Sequence, residues 1–550
     1  MTKKTLKNKL LIIALLQIFT ATLLITTTYA LNLTQKIDPL AKPLIKTGVA
    51  VGLIIGIVKD GETQVIAYGE KTKGSNIPPD ADTVFEIGSA SKVFTGIVLA
   101  DMVQKGIVKL DDPVQKYLPD GVTMPILEGK TITLKHLATH TSGLPRMPDN
   151  FMPKDPSNPY ADYSEAQMYE FLNRHKLRRV PGQYEYSNYG MGLLGYLLAR
   201  KLGKSYEQCI IDVLCKPIGM TDTSICLNED QQKRFATPYS SDLNPVSPWD
   251  FTTLAGCGGI RSTCNNMIKF IKANIKDDNE ALTQTLRMSH KIHHNDGMAI
   301  GLAWHILQDG TRWHNGGTGG FHSWIGIFPE KNSGIVVLAN TSNMQITQFG
   351  MQIMRIALGE DRKEIELSQN VLESYTGVYS LVPNFNINIT VENGILTLQA
   401  TGQGKIPFYP ESETEFFCKL ADIQISFVSG QDGKIDYLIL TQSGIDQKAI
   451  RKGDVTERKA VEVSSDILKS YTGSYMIAPN VAMKISLENG KLMGNAPGMN
   501  SFQLFPESKT KFFMKEIPAK ISFVPDEGGK VNYLILHHPG GNDQKAVREE

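Results

Sequence analysis

The sequence predicts an α+β fold, an α/β sandwich of one antiparallel sheet flanked by helices, followed by two small all-β barrels. Three observations carry this. "LESYTGVYSLVPN" from Leu372 recurs 96 residues on as "LKSYTGSYMIAPN" from Leu468, and "PESETEFF" at Pro410 returns as "PESKTKFF" at Pro506, so the last third holds two copies of one unit. Strand-like alternation stands at both ends of the region from about Leu31 to Arg362. Long helical patterns, Ala90 to Lys105 and Tyr189 to Leu202 among them, lie between those ends.

Taken in order, Lys3, Lys4, Lys7 and Lys9 precede an apolar run from Leu10 to Ile25, and "TTTYA" offers Thr28 and Ala30 for cleavage. That is the build of a signal peptide over residues 1–30, so an exported, periplasmic or secreted protein is expected. The competing reading is an uncleaved anchor, because the apolar segment stretches to Leu33 if its threonines are tolerated. The membrane would then be met only through this segment.

The region 31–365 comes next. "GVAVGLIIGIVKDGETQVIAYG" reads as two strands joined at Asp60 and Gly61, and Trp304 to Asn340 as a strand meander with turns at "LQDG" and "PEKNSG". Strands at both ends with helices between predict one antiparallel sheet, closed late in the chain, carrying a helical insertion.

The repeats, 366–455 and 462–550, read as β. Phe385, Ile387, Ile389 and Val391 alternate with polar residues before Asn393 and Gly394, a two-residue hairpin signal that Asn489 and Gly490 repeat. Short strands at "ISFV" and "YLIL" follow in both copies, predicting a small antiparallel barrel or sandwich. The copies share no acid, base or nucleophile arrangement, which favours a structural or substrate-gating module over a second active site.

Composition selects no ligand. At 550 residues, 57 Lys and Arg nearly cancel 56 Asp and Glu, so no global field argues for nucleic acid. Six cysteines are too few for a disulfide scaffold of this length, and Cys209 and Cys215 would point to opposite sides of a helix. No CxxC occurs. "HKIHHND", with His290, His293, His294 and Asp296, lacks H-E-x-x-H and reads as a solvated loop; no metal and no cofactor are expected.

The stretch "FEIGSASKVFTG" carries the chemistry. The broad apolar surface of Val93, Phe94, Ile97, Val98, Met102 and Val103 predicts a mostly buried helix starting near Ser89. On it Ser89 and Lys92 share a face, whereas Ser91 projects about 100° away from Lys92 around the axis. Serine is also a favoured N-cap. A plain capping box, however, would put Glu or Gln where Lys92 stands, and lysine opposes the positive end of the helix dipole. A neutral amine there is the proton acceptor a serine nucleophile needs.

Two further stretches join it. "PGQYEYSNYGMGLLGYLL" puts Tyr186, Ser187 and Asn188 just before an apolar helix, and "RWHNGGTGGFHSWIGIF" puts His314, Asn315 and Gly316 at the end of a strand. With "LKHLATHTSGLP" from Leu134 and "GGIRSTCNNMIKF" from Gly258, these stand in an order that resembles the penicillin-recognising serine hydrolases: class C β-lactamases, D-alanyl-D-alanine carboxypeptidases and their esterase and D-aminopeptidase relatives. The resemblance covers about Thr47 to Leu358.

It implies a β-lactamase/transpeptidase-like domain that works through an acyl-enzyme on D-amino-acid peptides of the cell wall, on β-lactams, or on both. Ser89 would attack the carbonyl, with Lys92 as proton acceptor and Tyr186 exchanging protons with Ser89 and the leaving group. Asn188 would hold Lys92 and the substrate amide; His314, Asn315 and Gly316 would complete the substrate site. The N–H groups of Ser89 and Gly317 would form the oxyanion hole. The partners implied are a small peptide or β-lactam substrate and possible contact with peptidoglycan.

His314 and Asn315 depart from the K-T-G usual in such β-lactamases, which weakens the expectation of efficient β-lactam hydrolysis. A histidine titrating near neutrality would make a conditional carboxylate ligand, with activity falling above pH 7. The repeats resemble the lipocalin-like barrels appended to some D-aminopeptidases. The alternatives are an esterase or D-aminopeptidase of the same fold, and a non-catalytic penicillin-binding or receptor protein. An α/β-hydrolase is disfavoured, since no G-x-S-x-G elbow occurs.

Overall fold

The computed structural model describes residues 33–549 except 297, 360–363, 383–384, 419–422, 431, 443–444, 455–459, 479–480, 496–500, 515–519, 527 and 538–542. The signal segment expected over 1–30 lies outside them. The chain divides into two units, Met1–Asp361 and Arg362–Glu550.

The first unit is built on an eight-stranded antiparallel sheet. β1 (Gly52–Lys59) and β2 (Glu62–Gly69) form the hairpin expected from the sequence, turning at Asp60 and Gly61 with φ of 49° and 86°. Two short strands, β3 (Val84–Glu86) and β4 (Arg261–Thr263), pair with each other apart from the sheet. β5 (His294–Asn295), β6 (Ala299–Ile300), β7 (His305–Ile306), β8 (Arg312–Gly317), β9 (His322–Phe328) and β10 (Ser333–Ala339) complete it. Its order is β2-β1-β10-β9-β8-β7-β6-β5, so the first hairpin closes on the last strand. Leu53 lies opposite Ala339 and Lys59 opposite Ser333.

Both faces of the sheet are covered, which is why β1, β9 and β10 read as nearly continuous apolar runs rather than alternating ones. One face packs Leu53, Ile55, Ile335 and Val337 against the helix Gln345–Leu358 through Ile346, Phe349 and Ile353. The other carries the helical insertion, whose core includes Val93, Phe94, Ile97 and Leu99 of the helix Ser91–Gln104. The site lies on this second face.

Each C-terminal copy closes as an eight-stranded antiparallel barrel, one from Gly377 to Gly453 and one from Gly473 to Arg548. Asn393–Gly394 and Asn489–Gly490 turn with positive φ at all four residues, as a two-residue hairpin of this twist requires. Tyr379, Ile387, Phe408, Phe416, Ile425 and Leu438 are fully buried, so side chains fill the first barrel's interior. In both copies a second tyrosine fixes the corner: Tyr379 Oη donates to the Tyr375 carbonyl at 2.8 Å, and Tyr475 Oη to that of Tyr471 at 2.9 Å.

Candidate active site

β3 leads directly into the nucleophile turn. Gly88–Ala90 form one turn of 3-10 helix, and the α-helix begins at Ser91. Ser89 makes no capping hydrogen bond there, so the cap reading of this serine is not the one adopted. Ser91 is the structural serine: fully buried, its Oγ accepts from Ile260 N–H at 3.0 Å.

Lys92 is fully buried, yet among the described residues no carboxylate pairs with it. Its Nζ lies 2.9 Å from Ser89 Oγ and donates to the Cys257 carbonyl at 2.6 Å. The amine is therefore aimed at the hydroxyl by a backbone carbonyl, where the family resemblance pointed to Asn188. Asn188 instead donates from Nδ2 to Tyr160 Oη at 3.2 Å, and its buried Oδ1 has no hydrogen-bond partner among the described residues, leaving an acceptor for an incoming N–H.

Tyr186 completes the group. Its ring centroid is 4.9 Å from Lys92 Nζ, and His140 stacks on it at 4.3 Å. Two loops hold this arrangement together. Glu185 N–H donates to the His140 carbonyl at 2.7 Å, Ser187 N–H to His140 Nδ1 at 3.1 Å, and Asn188 N–H to the Arg146 carbonyl at 3.0 Å. Ser187 Oγ donates to the Pro145 carbonyl and accepts from Gly190 N–H, capping the helix Asn188–Leu202. His140 adopts φ of 58°, a strained left-handed conformation held by these bonds.

The end of β8 approaches the nucleophile turn backbone to backbone. A Cβ on Gly316 would stand 1.8 Å from the Ile87 carbonyl oxygen, and one on Gly88 (φ 52°) would stand 2.7 Å from Gly317 N. Only glycines allow this approach. It brings the Ser89 turn beside the amide of Gly317, the pair expected to form the oxyanion hole. Ser323 Oγ donates to the Ile87 carbonyl at 2.7 Å and fixes the same junction.

His314 and Asn315 part company, because successive strand residues face opposite sides. His314 faces the site, its ring centroid 6.3 Å from that of Tyr186 and 5.0 Å from that of His305. Asn315 turns its side chain to the other face, donating to Thr347 Oγ1 at 2.9 Å; a side-chain role at the substrate is thus corrected.

The expected near-neutral titration of His314 is corrected as well. Burial, then His305 and Lys92, push its ring well below the usual histidine value, so it is already neutral at pH 7 and loses no charge above it. Burial also lowers His140, and takes His305 to about 4.

The motif "HKIHHND" forms no solvated loop at its first histidine, since His290 is buried and its Nε2 pairs with Asn274 Oδ1 at 2.9 Å. Among the described residues no cluster of three or more His, Cys, Asp or Glu could hold a metal ion.

These depressed histidines make the stability of the fold depend on pH. The unfolded chain takes up protons near pH 6.5 that the folded chain refuses until far lower pH, so their contribution is present above about 6.5 and lost as pH falls. Below that, each of His140, His290, His305, His314 and His322 should cost about 1.4 kcal/mol of stability per pH unit. Thermal unfolding should show the first unit's midpoint dropping steeply between pH 6.5 and 5. A midpoint unchanged over that range contradicts it.

Sequence reasoning missed His140, Arg146 and His305, although "LKHLATHTSGLP" had marked the loop that brings His140 to Tyr186. It also missed Glu86, buried beside the nucleophile turn, whose Oε1 accepts from Trp249 N–H at 2.8 Å and pairs with Arg261 at 3.3 Å.

A buried lysine aimed at a serine, a tyrosine beside it and a glycine-lined backbone junction define a serine hydrolase of the β-lactamase/carboxypeptidase type. Residues 37–348 match the Beta-lactamase family, and the chain belongs to it. Residues 361–452 and 457–548 each match a domain of unknown function, DUF3471.

The chain is 33% identical over 322 residues to a D-alanyl-D-alanine-carboxypeptidase/endopeptidase, AmpH, of Escherichia coli (strain K12), across 54% of this chain and 81% of that protein. It is 28% identical to a β-lactamase of Pseudomonas fluorescens, across 56% of this chain and 94% of that one. Among solved structures, a β-lactamase/D-alanine carboxypeptidase of Yersinia pestis complexed with citrate superposes with a TM-score of 0.52 at 27% identity, covering 60% of this chain and 97% of that one.

Proposed function

We propose that the protein is an exported serine hydrolase that acts through an acyl-enzyme on D-amino-acid peptides of the cell wall, as a D-alanyl-D-alanine carboxypeptidase does, and is acylated by β-lactams. The observation that carries this is the 2.9 Å contact between the buried Lys92 Nζ and Ser89 Oγ. Ser89 Oγ forms the bond to the substrate carbonyl as its proton passes to the Lys92 amine. The Ser89 and Gly317 N–H groups hold the oxyanion, a contribution of about 3 kcal/mol per donor in other serine hydrolases. The amide C–N bond then breaks as Tyr186 Oη delivers a proton to the leaving nitrogen and takes the one held by Lys92 in its place; water then adds to the ester carbonyl, its hydroxyl leaving with the acyl group and its other proton returning to Ser89 Oγ.

Peptidase over β-lactamase chemistry is favoured by His314, neutral and buried where the β-lactamase motif carries lysine, and by the carboxypeptidase relative. Export rests on the lysine-rich start and apolar run of residues 3–25. Among the described residues no helix is long and apolar enough to cross a membrane.

Fluorescent penicillin should label the protein covalently, and the label should vanish in Ser89→Ala but persist in Ser91→Ala. Release of D-alanine from a D-Ala-D-Ala peptide should show the same dependence. Labelling that survives Ser89→Ala, or turnover indifferent to it, removes the proposal. Sequencing the N-terminus of the protein recovered outside the cytoplasm tests export.

A further inference from the structure

The two barrels set corresponding residues on corresponding strands, and one difference between them changes the chemistry of the second. In the first, Ser426 stands on the strand Ile423–Ser429, and Thr441 lies opposite Asp446 across the next ladder, donating from Oγ1 to Asp446 Oδ1 at 2.6 Å. In the second, the equivalent positions are Ser522 on Lys520–Pro525, His537 at the end of Val531–His537 and Asp543 at the start of Asp543–Arg548, with His537 opposite Asp543. The imidazole reaches both ways where the threonine reaches one. His537 Nδ1 lies 2.9 Å from Asp543 Oδ1, and its Nε2 lies 2.8 Å from Ser522 Oγ.

Serine, histidine and aspartate joined in this sequence are the parts of an activated nucleophile, a set recognised by geometry and not by position in a chain. The Asp543 carboxylate holds a proton on Nδ1, which leaves the Nε2 lone pair to accept from the Ser522 hydroxyl. The group can be reached from solvent: Ile521, Phe523 and Leu534 fill the barrel, so the alternate residues Ser522 and His537 face outward, half-buried, and Asp543 is exposed. Ser522 also has neighbours suited to an ester. On one side Lys511 stands directly opposite it, an exposed residue that forms no ion pair with any described residue, so its ammonium is available to a developing oxyanion. Lys520 is not, since Nζ donates to both carboxylate oxygens of Glu507 at 3.1 and 3.0 Å. On the other side Ile535 lies opposite Ser522 and offers apolar surface to an acyl chain.

We propose that Ser522 is a second nucleophile of this protein, acting on small activated esters through an acyl-serine, with His537 as its base and Asp543 orienting that base. Ser522 Oγ bonds to the ester carbonyl carbon as its proton passes to His537 Nε2. The ester C–O bond then breaks, and the leaving alcohol takes that proton. Water adds to the acyl-serine, its hydroxyl leaving with the acid and its other proton returning through His537 to Ser522 Oγ. Nothing in this site is shared with Ser89, so the inference stands apart from the reading of the first unit.

The experiment uses the full chain carrying Ser89→Ala, which silences the first site. A fluorophosphonate probe should label this protein, and mass mapping of its peptides should place the adduct on Ser522 and not on Ser426, whose neighbour Thr441 offers no base. Adding Ser522→Ala should abolish the label. His537→Gln should slow labelling and p-nitrophenyl acetate turnover by about 100-fold, the lower end of what a positioned base contributes. Asp543→Asn should slow both, because an amide can turn its N–H to the ring and favour the wrong tautomer, and Asp543→Glu should restore part of the rate. Thermal unfolding of each variant establishes that it is folded. A Ser89→Ala protein that takes no label overturns the proposal, as does labelling indifferent to His537→Gln. Equal adducts on Ser426 and Ser522 would mean ordinary surface serines, and the proposal falls. A wild-type chain inert at Ser89 but labelled at Ser522 would remove the function proposed for the first unit and leave this one standing.

Discussion

Lys92→Met is expected to lower kcat/KM for a p-nitrophenyl ester by about 1,000-fold, within the range for removing a positioned general base. Methionine nearly keeps the volume of the buried side chain but offers Ser89 Oγ no proton acceptor. The same variant should unfold at or above the wild-type midpoint. A buried amine whose hydrogen bonds among the described residues go to Ser89 Oγ and the Cys257 carbonyl is costly to desolvate, so replacing it with an apolar side chain relieves a cost retained for chemistry. Activity within tenfold of wild type would assign the base elsewhere. A midpoint lowered by many degrees would mean that Lys92 is a structural residue.

Gly316→Ala is expected to lower kcat/KM by at least about 100-fold while the protein still folds, the scale of a misplacement near 1 Å in a catalytic group. The added methyl would stand 1.8 Å from the Ile87 carbonyl oxygen and 2.6 Å from Ser323 Oγ. The serine can rotate, but the carbonyl belongs to the backbone two residues before Ser89. β8 and the nucleophile turn must therefore separate, which moves the Gly317 amide away from the developing oxyanion. Overpacking of this kind costs about 1–3 kcal/mol of stability. Turnover of the ester and thermal unfolding, measured together, check both halves; a fully active Gly316→Ala would show that the junction tolerates spreading and does not position the oxyanion hole.

The parts of the site legible in the sequence were those set by local periodicity or by motif order. The three-residue spacing put Ser89 and Lys92 on one face, the Asp60–Gly61 and Asn393–Gly394 pairs marked hairpins, and strand patterns at both ends announced a sheet closed late. What stayed hidden depends on partners far away in the chain. The carbonyl that holds Lys92 belongs to Cys257, 165 residues on, and nothing in either stretch encodes that meeting. Burial was hidden too. His314 in an alternating strand looks like a surface histidine ready to titrate, and only the packing of His305, Tyr186 and Lys92 around it removes its charge. Asn315 was misplaced because motif resemblance carries residue identity but not the face of the sheet to which a side chain turns.

The hydrogen bond from Gly52 N–H to Asn340 Oδ1 joins residues 288 apart, and the whole β1–β10 ladder is of this kind. During synthesis β1 and β2 emerge early but have no partner on β1's other edge until the ribosome has passed Ala339. Loop-closure entropy on that scale makes such pairing slow to nucleate. β8 and β9 are made just before the closing strand, so the glycines beside Ser89 reach it only late in synthesis. From the making of Ser89 until that of Ala339 the nascent chain therefore carries its nucleophile without a place to stabilise an oxyanion. Hydrolytic competence at Ser89 arrives as one event, with the last strand of the sheet, whereas the two barrels that follow draw all their strand pairings from their own short stretches.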